Sequence, residues 1–266
     1  PSLDNYPLPG TQTTRGQIKL AGTYVGPDAG VKQGTANRLA VAHDRFKAIT
    51  EVGKAEPQMG LRLATDCGAC AFDYVPRTTP PSIIGEEMEA VTKLQHKTAT
   101  AILKDPRLGA PHCSVNRLDR FHRLAGLPTS SGSMAQTTGT SKQHAAYLAS
   151  VLTAMTHPRI KPFAHALLPF VQHSYNGLCA QLNLTNIPPD HPLAAVLPPH
   201  ADIIVNTSFA ERFSLQNSQR RPQQVMMSHV SLQERRELRI LCTQPDHHFS
   251  QQDRTHLLSI TSKSQA

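Results

Sequence analysis

The chain has 266 residues, with 27 Lys and Arg against 19 Asp and Glu, a formal net charge of +8. Hydrophobic residues are 39%, charged residues 17% and aromatics 5%, and Trp is absent. These figures exclude a collagen-like repeat, and they argue against full disorder or a long coiled coil. No apolar run reaches the roughly 18 residues that a membrane-spanning helix needs.

Residues 1–36 hold Pro7, Pro9, Gly10, Gly16, Gly22, Gly26, Pro27, Gly30 and Gly34. That spacing predicts an extended arm, because Pro and Gly interrupt helices. Ile18–Leu20 and Thr23–Val25 read as short strands, or as an arm that orders against a partner. A helix is expected from Asn37, which can cap it, with Leu39, Ala42, Phe46, Ile49 and Val52 on one face before Gly53.

Residues 54–85 carry Pro57, Gly60, Gly68, Pro76, Pro80, Pro81 and Gly85, and read as loop with at most a short helix. A stronger helix is predicted over 86–104, with Met88, Val91, Leu94, Gln95 and Ile102 in register and Pro106 ending it. Val115, Leu118, Phe121 and Leu124 mark another over 114–125. Residues 128–140 are a polar Ser/Thr/Gly stretch, read as a linker or loop.

Residues 142–156 place Tyr147, Leu148, Val151, Leu152 and Met155 on one stripe. Residues 163–182 are nearly all apolar, which predicts a central helix that Pro169 can kink. Ile203-Ile204-Val205 is β-branched and short, and reads as a strand. Ser231-Leu232-Gln233-Glu234 matches a capping box that would open a helix toward Leu241. The expected fold is therefore mostly α, with about seven helices, little strand, and extended Pro/Ser/Thr-rich arms at both ends. The expected organisation is an arm over 1–36, helical regions over 37–127 and 141–241 around the 128–140 linker, and a tail over 242–266.

The basic surplus is concentrated. Residues 106–189 carry Arg107, Arg117, Arg120, Arg123, Lys142, Arg159 and Lys161 against one acid, Asp119. Arg117, Arg120 and Arg123 repeat every three residues, so on a helix they form one cationic stripe. A second group, Arg212, Arg220, Arg221, Arg235, Arg236 and Arg239, is partly offset by Glu211, Glu234 and Glu237. Single arginine stripes are common solvated helix faces, but crowded like charge costs stability unless a counter-anion is present. Guanidinium forks match phosphate oxygens, so the expected anion is nucleic acid, RNA rather than DNA. The residues expected to contact its backbone are Arg117, Arg120, Arg123, Lys142, Arg159 and Lys161. Tyr147 and Phe121 could stack on bases, although core packing suits both.

Catalytic signatures are sparse. No P-loop, dinucleotide fingerprint or nucleophile elbow occurs. Cys67-Gly68-Ala69-Cys70 with His112-Cys113 could make a zinc or thiol site, the basis of an alternative reading as a metal- or thiol-dependent hydrolase. Adjacent His112 and Cys113 fit one tetrahedral ion poorly. The tail groups Asp246, His247, His248, Asp253 and His256, and the pair His200 and Asp202, follow no metal-site spacing. No catalytic residue, metal ligand or cofactor is assigned. The five cysteines are odd in number and scattered, and Pro1–Asn5 does not read as a signal peptide, so a reducing compartment or a virion is expected.

Ala71-Phe72-Asp73-Tyr74 resembles the A-F-D-F/Y element in coat proteins of flexible filamentous plant viruses, where the Asp pairs an Arg near the RNA pocket. The likeness covers four residues of 266, and about 190 residues follow it here, whereas the coat element lies near the C-terminal end. No site residue is carried across. The expectation from the residues themselves is a self-assembling coat or nucleocapsid-type subunit with copies of itself as partners through its arms, no membrane association, and no sequence readout. A helical subunit of a large ribonucleoprotein is the third reading.

Overall fold

A computed structural model describes residues 23–103, 139–205 and 222–243, the segments 13–14 and 17–20, and the single residues Ala125 and Thr255. Most of these residues are helical, and the mostly-α expectation holds. Strands β1 (Thr13–Thr14), β2 (Gln17–Leu20) and β3 (Thr23–Val25) form an antiparallel meander in that order. Lys19 stands opposite Tyr24, and Ile18 opposite Val25.

Helix α1 spans Asp28–Ala55, so it begins nine residues before the expected Asn37. Gly30 and Gly34 do not break it. Asp28 complements the helix dipole in the first turn, and the Pro27 carbonyl accepts the first bond from Val31 at 3.0 Å. Gly34 has a packing role. A Cβ there would collide with Cγ, Cδ1 and Cδ2 of Tyr24, the last at 2.7 Å. Helix propensity is sacrificed to let β3 lie on α1.

Residues 54–85 are the largest departure from expectation. They fold into α2 (Pro57–Leu63), a π turn (Ala64–Gly68), a 3-10 turn (Ala69–Phe72) and α3 (Val75–Thr78), leading into α4 (Pro81–Leu103). Pro57, Pro76 and Pro81 each stand in the first turn of a helix, where the missing N–H has no intrahelical partner to lose. Gly60 allows α2 to approach α1: a Cβ on it would reach Gly53 N at 3.0 Å. Phe46, Phe72, Ile84, Met88 and Ile102 lie at the centre of the apolar cluster that α1 to α4 enclose.

The second cluster is built on α5 (Gly139–Met155), α6 (Ala164–Gln181), α7 (Ala201–Ile204) and α8 (Pro222–Thr243), with 3-10 turns at Lys161–Phe163 and Pro192–Ala195. Helix α5 is the central one. It packs against α3, α4, α6 and α8, and Leu148, Leu152 and Met155 are fully buried. Helix α6, expected at the centre, buries only the side carrying Val171, Ser174, Tyr175, Leu178 and Cys179. It continues through Pro169.

Tyr175 ties down the chain after α6. Its hydroxyl donates toward Pro199 O at 2.7 Å and Pro198 O at 3.1 Å, and accepts from Ile187 N at 3.1 Å. Burial pushes its pKa up to about 12.

Two local expectations fail for tertiary reasons. Ile203-Ile204-Val205 is not a strand: Ala201–Ile204 is a helical turn that buries Ala201 and Ile204 one turn apart. Ser231-Glu234 is not a helix start: it lies inside α8, which Pro222 opens, and Ser231 is buried. The segment 114–125, the linker up to Thr138 and the tail beyond Thr243 fall outside the described residues, apart from Ala125 and Thr255.

Candidate nucleic-acid interface

Three of the six expected contact residues, Arg117, Arg120 and Arg123, lie outside the described residues. Arg159 is exposed in the turn between α5 and α6. Lys161 is in the 3-10 turn that follows, and its side chain is not among those described. Lys142 is a correction. It is 8% exposed, and its ammonium is hydrogen-bonded and ion-paired to Asp73. A buried ammonium held by a carboxylate offers no charge to a polyanion, so Lys142 acts inside the fold. Tyr147 is likewise core; Phe121 is outside the described residues.

Among the described residues, arginines also line a groove on α1. This groove, of about 370 Å³, is lined by Tyr24, Asn37, Arg38, Val41, Ala42, Arg45 and Ala71. No acidic residue is among the described residues that line it. Arg38 and Arg45 are seven residues apart, two turns, so their side chains leave one face about 10 Å apart along the axis. Val41 lies between them and is 65% exposed. Arg45 Nη1 donates to the Cys67 carbonyl at 3.3 Å, which orients the side chain through a neutral acceptor and leaves its charge in place. Asp44 is exposed next to Arg45 in sequence but lies about 100° around the axis.

The folding reason is local. The core face of α1 carries Val31, Thr35, Ala42, Phe46, Ile49 and Gly53, which drives that side inward. Arg38, Val41 and Arg45 sit beside this stripe, where β3 and the Ala69–Phe72 turn wall the groove. A helix started at Asn37 hides the arrangement, because Tyr24 then has no helix to lie on. The seven-residue spacing of Arg38 and Arg45 was the available sequence signal.

The alternative cluster is not assembled by the described residues. Cys67 is exposed in the π turn, Cys70 follows in the 3-10 turn, and His112 and Cys113 lie outside. Among the described residues, no three His, Cys, Asp or Glu side chains gather where they could hold a metal ion. Cys179 is buried, which raises its thiol pKa and makes it a poor nucleophile at neutral pH.

Two histidine pairs occur in the second cluster. His144 of α5 and His173 of α6 have ring centroids 5.9 Å apart, and His191 and His229 lie 5.4 Å apart. Burial, and then the charge of His173, lower the His144 pKa to about 4. Its Nδ1 is buried without a hydrogen-bond partner among the described residues. His144 is therefore neutral at pH 7 and serves as packing against Gly177. Among the described residues, no helix is long and apolar enough to cross a membrane. Asp73 of the Ala71–Tyr74 segment pairs a lysine, not an arginine, while Phe72 is fully buried and Tyr74 is exposed.

No protein-family model, curated protein or solved structure matches the chain.

Proposed function

We propose that this protein is a structural nucleic-acid-binding subunit of coat or nucleocapsid type, which grips the phosphate backbone without reading sequence. The observation that carries the reading is the groove on α1, where Arg45 keeps its charge beside Tyr24 and no acid is among the described lining residues. Guanidiniums spaced along a helix face suit a repeating anion, and they supply affinity without base readout. The concentrated charge of residues 106–189 supports the same partner, with Arg159 on the surface. Copies of the chain are the second partner, joined through the chain ends on either side of the helical body.

A filter-binding titration with a single-stranded RNA across salt concentrations tests the reading. Each phosphate neutralised adds about 0.7 to the negative slope of log affinity against log salt for a single strand. A slope of several units is expected, and a slope near zero overturns the proposal. Negative-stain imaging with the 260/280 nm absorbance ratio tests the assembly half. Particles or filaments containing nucleic acid are expected; a nucleic-acid-free monomer at high concentration counts against a coat subunit.

A further inference from the structure

We infer that His191, His229 and Arg236 form an anion site on the second cluster, built for a single phosphate group. The site lies apart from the α1 groove and does not depend on it.

His191 stands just before the 3-10 turn Pro192–Ala195, which packs on α8. Leu193 of that turn is buried in the same cluster as Met226 and Val230 of α8, so the turn is anchored beside the first half of the helix. This packing brings the His191 and His229 rings to 5.4 Å between centroids, tilted by 52°. Both residues are half-buried. The turn also orients His191, whose Nδ1 accepts from Leu193 N at 3.1 Å. That bond leaves the proton of the neutral ring on Nε2, so His191 donates a hydrogen bond even when uncharged.

Arg236 follows His229 by seven residues, two turns of α8, so the two share one side of the helix. Helical side chains lean toward the N-terminus, which carries the exposed Arg236 toward His229. Arg236 makes no ion pair among the described residues. Glu237, its neighbour in sequence, accepts instead from Asn183 Nδ2 at 3.0 Å and Gln233 Nε2 at 3.3 Å. Asp190, beside His191, is exposed. Burial, then the charges of His191 and Arg236, lower the His229 pKa. Among the described residues, no carboxylate acts on His229, and neither does any group of α5, which also packs on α8.

Three nitrogen donors are thus gathered with no acid among the described residues to balance them. Such crowding costs stability unless a counter-anion is present. The donors come from two elements, and the imidazole rings are tilted against each other, so they do not lie in one plane. That arrangement suits a tetrahedral oxyanion, whose oxygens point in several directions, better than a planar carboxylate. The Arg236 fork takes two phosphate oxygens, and the imidazole N–H groups take the remaining lone pairs. The phosphate comes either from a nucleic-acid backbone or from a free phosphate monoester.

The test follows the ring signals of His229 by NMR in the full chain, assigned by their loss in His229→Gln. The pH is varied with and without inorganic phosphate, at an ionic strength matched with sodium chloride. Phosphate should move the His229 titration to higher pH, because a bound anion favours the charged ring. Arg236→Gln, at an exposed position, should weaken phosphate binding by roughly tenfold or more, the loss of a charge-assisted bond, and Arg236→Lys should keep part of it. Equal phosphate affinity in Arg236→Gln and wild type overturns the site. A 5′-mononucleotide and a short oligo-rU without terminal phosphates distinguish the sources. A His229 response to the oligomer supports the site with the backbone as its ligand, and a response to inorganic phosphate and the mononucleotide alone supports it with a free monoester. A titration unmoved by every probe overturns the inference, and RNA binding that persists with His229 unmoved leaves the proposed function standing without it.

Discussion

Lys142 and Asp73, 69 positions apart in sequence, form a part-buried ion pair that joins the two apolar clusters. Asp73 lies between Phe72 and Val75 of the first cluster, and Lys142 lies one turn from Ala145 of the second. The side chain of Lys142 is 10% exposed and that of Asp73 is 45%. Most of the desolvation therefore falls on the lysine, and the carboxylate offsets it while keeping contact with water.

Removing one partner should cost more than removing both. Asp73→Asn leaves a buried ammonium without its counter-charge, and should destabilise the fold by about 2–3 kcal/mol, below the range for fully buried pairs because Asp73 is half-exposed. Adding Lys142→Met should recover most of that loss. Urea unfolding of the wild type, the single variant and the double variant measures both steps. A double variant less stable than Asp73→Asn would show that Lys142 is held by something other than this carboxylate.

Acid should weaken the second cluster through His144. Its folded pKa of about 4 lies below the unfolded value of 6.5, so the unfolded chain takes up a proton first. Stability from this group is complete above pH 6.5 and declines as pH falls toward 4. Between pH 7.5 and pH 5 the loss is about 2 kcal/mol. His229, lowered by burial, His191 and Arg236, adds a loss of the same sign. Denaturation midpoints at the two pH values should diverge less in His144→Leu than in wild type, and an equal divergence would remove His144 as the cause.

Glycines of α1 and α4 should respond oppositely to alanine. At Gly34 a methyl group meets the Tyr24 ring, an overpacking cost of roughly 1–3 kcal/mol that outweighs the gain in helix propensity. At Gly85 a Cβ meets nothing within 4 Å, so Gly85→Ala should stabilise by about 0.5–1 kcal/mol. Thermal melts of the two variants read the contrast directly.

Charge removal should separate surface cations from the buried one. Arg45→Gln and Arg159→Gln should each lower the salt slope of single-stranded RNA binding by about 0.7. Lys142→Met, placed in the Asp73→Asn background to keep the fold, should leave the slope as in wild type. An unchanged slope in Arg45→Gln would remove the α1 groove from the interface.

Helical character was readable because it rests on local periodicity. Met88, Val91, Leu94, Gln95 and Ile102 carry the helical spacing, and all but the half-buried Leu94 are buried in α4. Helix starts were misread where prolines were treated only as breakers. Pro57, Pro76 and Pro81 each sit in a first helical turn, and the residues alone do not say on which side of a proline the helix lies.

The amino-acid order by itself determined a mostly helical chain with a net positive charge and little strand, because composition and short-range spacing act without knowledge of distant partners. Tertiary structure decided which cations reach the surface. Lys142 and Arg45 look alike in sequence, each a basic residue in an amphipathic helix. One is drawn inward by a carboxylate 69 positions away, and the other is left lining a groove that a strand closes. Burial is set by which elements pack together, and that is a long-range property that no local pattern encodes.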